Sequence, residues 1–259
     1  SSDLGEQYAI NVGELTIGEQ LETGIEYVKG RHGAKKVISY FQSGSNTHAA
    51  ASTLKPIFEE AIDHPSVVGL AISTRPDCIL DEHAELFDEL SRKTFLWVEL
   101  GLQSSHDSTL KLIERGHSVE QFVHASDLLK KFNIPICVHT ILGLPGESLE
   151  MMLTTAKFLN EQDVWGAKIH NLHVLKDTKL EKMYRNGECN IPSLKEYACW
   201  VASFLETLNP NILIHRLNSH SPKRFTIAPE WSVNKLATFN EIEKQLKETD
   251  SWQGKRYIP

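Results

Sequence analysis

The chain is poor in cysteine, and the four it has, at positions 78, 137, 189 and 199, are spaced for neither a disulfide framework nor a Cys-x-x-Cys metal clip. Two of them sit inside apolar strand patterns, where cysteine serves as a small core residue, so a reducing cytoplasmic setting is expected. No stretch reaches the roughly 18 uncharged apolar residues of a membrane span. Ser1 to Gln7 is polar and acidic, unlike a signal peptide. There is no low-complexity segment and no run of five like charges. Positive charge is in deficit: a formal net charge of −7 argues against a broad polyanion-binding surface and leaves only a local basic groove open.

What is present is an alternation of period along 259 residues, 41% of them hydrophobic, enough for a substantial core. Glu14 to Val28 repeats apolar residues at helical spacing, and Val37 to Phe41 then reads as a strand. Helices are predicted at Leu54 to Ile62, Leu80 to Leu90, Glu147 to Leu159, Ser193 to Leu208 and Asn234 to Leu246. Leu110 to Phe132 holds one or two more, broken near Arg115-Gly116-His117-Ser118, with Ser118 able to cap the second. Strands are predicted at Val67 to Ile72, Thr94 to Leu102, Ile134 to Leu142, Ala167 to Leu175 and Ile212 to Leu217. Several are apolar on both faces, as a helix-covered parallel sheet requires. Regular βα repetition leaves a barrel or a doubly wound sheet. No Gly-x-Gly-x-x-Gly turn follows any strand, which favours the barrel. Beyond about residue 190 the rhythm breaks, so residues 1–190 are expected to be the barrel core and 191–259 a C-terminal extension packed on it.

In a parallel barrel the loops after the strands build the reactive mouth. Four strand ends are unusually polar: Gln42 to Thr47, Ser73 to Asp77, Glu99 with Gln103, and Lys168, His170 and His173. Each has a plain structural reading. Asn46 or Thr47 could cap the next helix, Arg75 could be a salt-bridge partner, and Gly143-Leu144-Pro145-Gly146 could be an ordinary strand-to-helix turn. Glu99 is harder to dismiss, because a carboxylate in a buried strand needs a partner or a role. His139, His170, His173 and His215 could form a metal site, but alternation puts Lys168 and His170 on one strand face and His173 on the other.

Taken in order, these segments resemble the radical S-adenosylmethionine (SAM) superfamily, in a bacterial branch of Fe–S oxidoreductases related to the elongator catalytic subunit and to coproporphyrinogen dehydrogenase. The matching pieces are Tyr40-Phe-Gln42 with Asn46-Thr47, Thr74-Arg-Pro-Asp77, Val98 to Ser104, Arg115-Gly-His117, His139 to Glu147, and Lys168 to His173. The resemblance implies a partial (β/α)₆ TIM-like barrel and an oxidoreductase-like enzyme. Such an enzyme uses a [4Fe–4S] cluster to cleave SAM to a 5′-deoxyadenosyl radical, with an electron donor such as flavodoxin or ferredoxin. It further implies that Ser43, Gly44, Ser45, Asn46 and Thr47 lie beside the methionine amino group and that Gln103 bonds a ribose hydroxyl. Arg115 would pair with the SAM carboxylate, Gly143, Leu144 and Pro145 would flank the adenine, and Lys168, His170 and His173 would face cofactor or substrate. Ser73, Arg75, Glu99 and His139 belong to the same implied cofactor-binding set. Ser73 stands where elongator-type relatives place glutamate, a departure at a ribose contact.

The larger departure is that no Cys-x-x-x-Cys-x-x-Cys motif occurs in the sequence. In the family that motif follows the first strand, ahead of the helix read at Glu14 to Val28, so the first strand and cluster loop are expected to lie N-terminal to Ser1. As the sequence stands the enzyme is expected to be inactive, and no metal ligand is assigned to Cys78, Cys137, Cys189 or Cys199. Two alternatives stand beside this reading: a barrel hydrolase or lyase with a histidine-bound divalent metal, and a non-catalytic scaffold binding SAM or tRNA. The acidic balance lends tRNA no support.

Overall fold

A computed structural model describes residues 15–42 and 44–259, so Glu14 at the expected start of the first helix, and Ser43, lie outside the described residues. The chain forms two compact units, residues 1–101 with 121–136 and residues 102–120 with 137–259.

The first unit opens with helix α1, Ile17–His32. Thr16 and Glu19 form a reciprocal capping box at its start, and Gly33 closes its end at φ 65, a left-handed conformation that glycine adopts without penalty. Strand β1 (Val37–Phe41), helix α2 (Ala51–Asp63), strand β2 (Val67–Thr74), helix α3 (Asp81–Ser91) and strand β3 (Phe95–Gln103) follow as successive βα units. β1 pairs with β2 and β2 with β3, all parallel, with Tyr40 opposite Ala71 and Ala71 opposite Trp97. Phe58 of α2 and Phe87 of α3 are buried against this sheet with Leu70, Ile72 and Leu90, and Phe41 meets Phe58 edge-on at 5.0 Å.

The second unit carries helix α4 (Asp107–Leu112), and helix α5 (Val119–Lys130) follows it in the chain. The break between them is the one expected at Arg115 to Ser118; the first amide of α5, Val119 N–H, donates to the Asp107 carboxylate at 2.8 Å. Strand β4 (Ile136–Leu142), helix α6 (Leu149–Glu161), strand β5 (Gly166–Asn171), helix α8 (Leu194–Thr207) and strand β7 (Leu213–Arg216) continue the alternation. Between β5 and α8 lie strand β6 (Val174–Leu175) and helix α7 (Lys179–Arg185); strand β8 (Thr226–Ala228) and helix α9 (Lys235–Glu248) come after β7.

The larger sheet has the order β1-β2-β3-β4-β5-β7, and β6 and β8 form a separate two-stranded antiparallel sheet. Strands that succeed one another in space as they do in sequence are the signature of a (β/α) barrel; a doubly wound sheet reverses direction at a switch point. The fold is therefore α/β of the partial TIM-like type. Three expectations need correction. Helix α2 is capped by neither Asn46 nor Thr47, since its N-cap is Ala50. The strand expected at Ala167 to Leu175 is two strands, interrupted at Leu172 and His173. β7, beyond residue 190, is a member of the larger sheet beside β5.

Candidate functional site

In the first unit the loop after β1 is stitched onto the end of β2. The Asn46 side-chain amide donates to the Ser73 carbonyl at 2.8 Å, and Asn46 N–H reaches the same oxygen at 3.3 Å. Ser45 and Thr47 hydroxyls both bond the Thr74 hydroxyl, at 2.8 and 2.6 Å. Arg75 forms a two-pronged pair with Asp77, its Nε donating at 2.9 Å, and this hydrogen bond is the main cause that holds the guanidinium pKa above its ordinary value. The plain salt-bridge reading of Arg75 is thus realised. Glu99 is 1% exposed and accepts from the Tyr40 hydroxyl at 2.6 Å and the Trp97 indole N–H at 3.0 Å. Tyr40, Trp97 and Glu99 share one sheet face because Tyr40 and Trp97 are both in register with Ala71, and Glu99 follows Trp97 by two.

In the second unit the end of β3 is tied to the turn after β4. Gln103 adopts φ 73, a left-handed conformation unusual for a residue with a side chain. The next residue, Ser104, is fully buried and donates its hydroxyl to Glu147. Burial raises the Glu147 pKa, and hydrogen bonds from Ser104 and Thr109 oppose that rise. Ser105 bonds Thr155 of α6 through both its N–H and its hydroxyl, at 3.1 and 3.0 Å. Arg115 N–H closes the end of α4 on the Leu110 carbonyl at 2.9 Å. The turn itself needs its glycines: Gly143 has φ 83, and a β-carbon there would stand 3.0 Å from the Trp200 ring.

Deeper in the same unit, His139 is in register with Lys168, and Ile141 with His170. The His139 and His170 rings stack at 5.1 Å with an interplanar angle of 29°. His170 Nε2 is buried with no hydrogen-bond partner, and burial, reinforced by the charges of His139, Arg216 and Lys168, holds its pKa well below the ordinary imidazole value. His173 lies in the break after β5 and turns elsewhere. Its Nε2 contacts the Ser219 hydroxyl at 2.8 Å and the Asn171 amide at 3.2 Å, and its pKa is pushed down to about 4, by burial first and by His220 second.

The structure thus brings Ser45, Asn46, Thr47, Ser73 and Arg75 together at one strand end of the first unit. It ties Ser104, the neighbour of Gln103, to Glu147 just past the Gly143 turn, and brings His139 to Lys168 and His170, in the second. It separates His173 from His170. Three residues escaped the sequence reading. Trp200 backs the Gly143 turn from the middle of an amphipathic helix, Asn218 carries a buried side-chain amide nitrogen without a partner, and Arg216 lies opposite Lys168. Arg216 could have been found only by knowing the register of β7.

The group chemistry can be tested on these observations. A metal cluster does not fit: among the described residues no group of three or more His, Cys, Asp or Glu side chains is placed to hold a metal ion. Cys137 and Cys189 are buried, and Cys78 and Cys199 are partly so. Among the histidines, His139 and His170 stack face to face while His173 bonds Ser219. A polar organic ligand does fit the second unit, which offers a glycine turn and the unpartnered polar atoms of His170 and Asn218. Among the described residues no helix is long and apolar enough to cross a membrane.

A parallel βα sheet whose strands follow one another in sequence order defines the class of partial TIM-like barrels. The chain belongs to the radical SAM superfamily: residues 13–159 match that superfamily, and residues 164–248 match the radical SAM C-terminal domain. It is 42% identical over 220 residues to the uncharacterized protein YtqA of Bacillus subtilis, covering 85% of this chain and 68% of that one. It is 33% identical over 150 residues to a tRNA uridine(34) acetyltransferase of Methanocaldococcus infernus, covering 55% of this chain and 27% of the relative. In structure it resembles the archaeal Methanocaldococcus infernus Elp3 with an N-terminal deletion, with TM-score 0.76 and 22% identity, covering 93% of this chain and 60% of that chain. That likeness confirms the fold.

Proposed function

We propose that this chain is the SAM-binding body of a cytoplasmic radical SAM enzyme, and that its second unit holds the nucleoside part of SAM. The carrying observation is the join between the end of β3 and the turn after β4: Gln103 at φ 73, the Ser104–Glu147 hydrogen bond, and Gly143 at φ 83 beside Trp200. SAM supplies a sulfonium-activated adenosyl group when bound. The chain's own residues bind and orient it. The left-handed backbone at Gln103 turns its amide out of the strand, where it can bond a ribose hydroxyl. The glycine turn with Leu144 and Pro145 presents main-chain groups and a flat apolar surface to a purine, and Trp200 keeps that turn from shifting. Ser104 and Glu147 fix the two loops relative to each other, a positioning role.

None of the described cysteines forms a ligand set for a [4Fe–4S] cluster. The names of relatives bring tRNA in as a candidate partner, against a net charge of −7.

Isothermal titration of the purified chain with SAM tests the reading. Wild type is expected to bind, and Gln103→Ala to bind at least tenfold more weakly with an unchanged melting temperature. Absence of SAM binding by wild type, or an unaltered Kd in Gln103→Ala, would overturn it.

A further inference from the structure

Two buried polar atoms of the second unit stand without a hydrogen-bond partner at neighbouring strand ends: His170 Nε2 and the side-chain nitrogen of Asn218. The register puts the two residues side by side. Lys168 of β5 pairs with Arg216 of β7, and His170 and Asn218 lie two residues further along each chain. The alignment holds past the end of β7, because Ser219 N–H donates to the Asn171 side-chain oxygen at 2.9 Å and the Ser219 hydroxyl donates to the Asn171 carbonyl at 3.1 Å. A step of two residues returns to the same face of an extended chain, so Asn218 shares its face with His170.

Both groups are held in place by contacts that leave these two atoms out. The His170 ring is stacked on His139 at 5.1 Å. Asn218 sits between Leu217, whose carbonyl accepts from the buried Tyr197 hydroxyl at 2.7 Å, and Ser219, which is bonded twice to Asn171. A buried donor without an acceptor costs stability. Rigid support around unmatched polar atoms is the arrangement of a ligand subsite, and the carboxyl ends of parallel strands are where such ligands bind.

The two atoms specify what they can hold. The Asn218 nitrogen can only donate. Burial holds the His170 pKa well below the ordinary imidazole value, so the ring is neutral near neutral pH. No hydrogen bond among the described residues fixes its tautomer, which leaves Nε2 able to turn a lone pair to a ligand. A carboxylate brings acceptors only, and a charge that is costly to bury. An ordinary trans peptide points its oxygen and its N–H to opposite sides. A primary carboxamide or a lactam points both to one side. We propose that Asn218 and His170 form a subsite for such a one-sided amide edge, the amide oxygen accepting from Asn218 and the amide N–H donating to His170 Nε2. As the anchor for a substrate this rests on the SAM reading; as a binding site it does not.

The test is titration of the isotope-labelled chain with three probes, read from the Asn218 side-chain amide and His170 ring resonances. The probes are δ-valerolactam, the open-chain primary carboxamide isobutyramide, and N-methyl-δ-valerolactam, which keeps the oxygen and lacks the N–H. Saturable shifts at both groups are expected with the lactam or the carboxamide, and the tighter of the two gives the kind of amide. The N-methyl compound is expected to bind about fivefold more weakly than the lactam, or weaker still. Asn218→Leu replaces the amide with an apolar group of similar size, and its backbone spectrum checks the fold. It is expected to lose probe affinity by about tenfold or more while its SAM affinity stays within about twofold. Absence of shifts at both groups, the result of an ordered water bridging the pair, would overturn the proposal. Equal binding of the lactam and its N-methyl derivative would do the same, and that comparison needs no variant. So would displacement of SAM by δ-valerolactam, which would assign the pair to the adenine edge of SAM itself. Probe binding without any SAM binding would sink the SAM reading and leave this one standing.

Discussion

His173 sets a prediction whose size follows from the structure. Its ring is enclosed by Asn171, Ser219 and Ser232, and its pKa falls from the ordinary 6.5 to about 4, from burial first and the neighbouring His220 second. A depressed imidazole pKa means that the unfolded chain takes up a proton before the folded chain does. The stability this group contributes is therefore complete above pH 6.5 and is lost progressively as pH falls toward 4. At about pH 5 the unfolded side chain is almost wholly protonated and the folded one almost wholly neutral. The gap is roughly 1.5 pH units, and at about 1.36 kcal/mol per unit the loss is about 2 kcal/mol. His173→Gln keeps a polar group that can bond Ser219 and removes the titration. Urea unfolding of both proteins at about pH 7.5 and about pH 5 isolates the effect, because other titrating groups cancel in the double difference. Wild type is expected to lose about 2 kcal/mol more than the variant. Equal losses would show that water reaches the ring and that the Asn171–Ser219 network does not exclude the proton.

Three further outcomes follow from the same reasoning. Tyr40→Phe removes one of the hydrogen bonds to the buried Glu99 carboxylate and is expected to cost about 1.5–3 kcal/mol, read as a melting temperature several degrees lower; no change would mean that the bond carries no net stability. Gly143→Ala forces a side chain into φ 83 and to within 3.0 Å of Trp200, an expected loss of about 1–3 kcal/mol in a denaturant melt; wild-type stability would show that the turn can relax. Glu147 has its pKa raised by burial above the ordinary 4.5, so the folded chain holds its proton more tightly than the unfolded one. Lowering the pH toward 4.5 should therefore raise the stability of wild type relative to Glu147→Gln, and a difference that stays flat with pH would refute the assignment.

The βα rhythm was legible because parallel strands buried on both faces leave continuous apolar runs, and Val67 to Ile72 is one of them. Element ends were less so. The α5 start was read from Ser118, and the Asp107 carboxylate of the preceding helix, which has no local signature there, answers the first amide. The loop at Ser45 to Thr47 was legible as polar and not as tied to Thr74, because a hydroxyl contact between two loops has no local signature. The family motifs pointed to most of the candidate site residues. Lys168 and His170 stood out as polar residues in a strand, whereas His173, expected on the opposite strand face, lies in the break between β5 and β6. Arg216 and Trp200 were invisible for a physical reason: their neighbours are set by register and by helix packing, and neither leaves a trace at fixed spacing in the chain.

The most direct measurement is a set of backbone amide spectra of the isotope-labelled chain titrated with SAM. Binding at the β3 end and the glycine turn should shift the amides of Gln103, Gly143 and Leu144 in a saturable, one-to-one manner. Saturable shifts confined to other parts of the chain, or no shifts at all, would contradict the account.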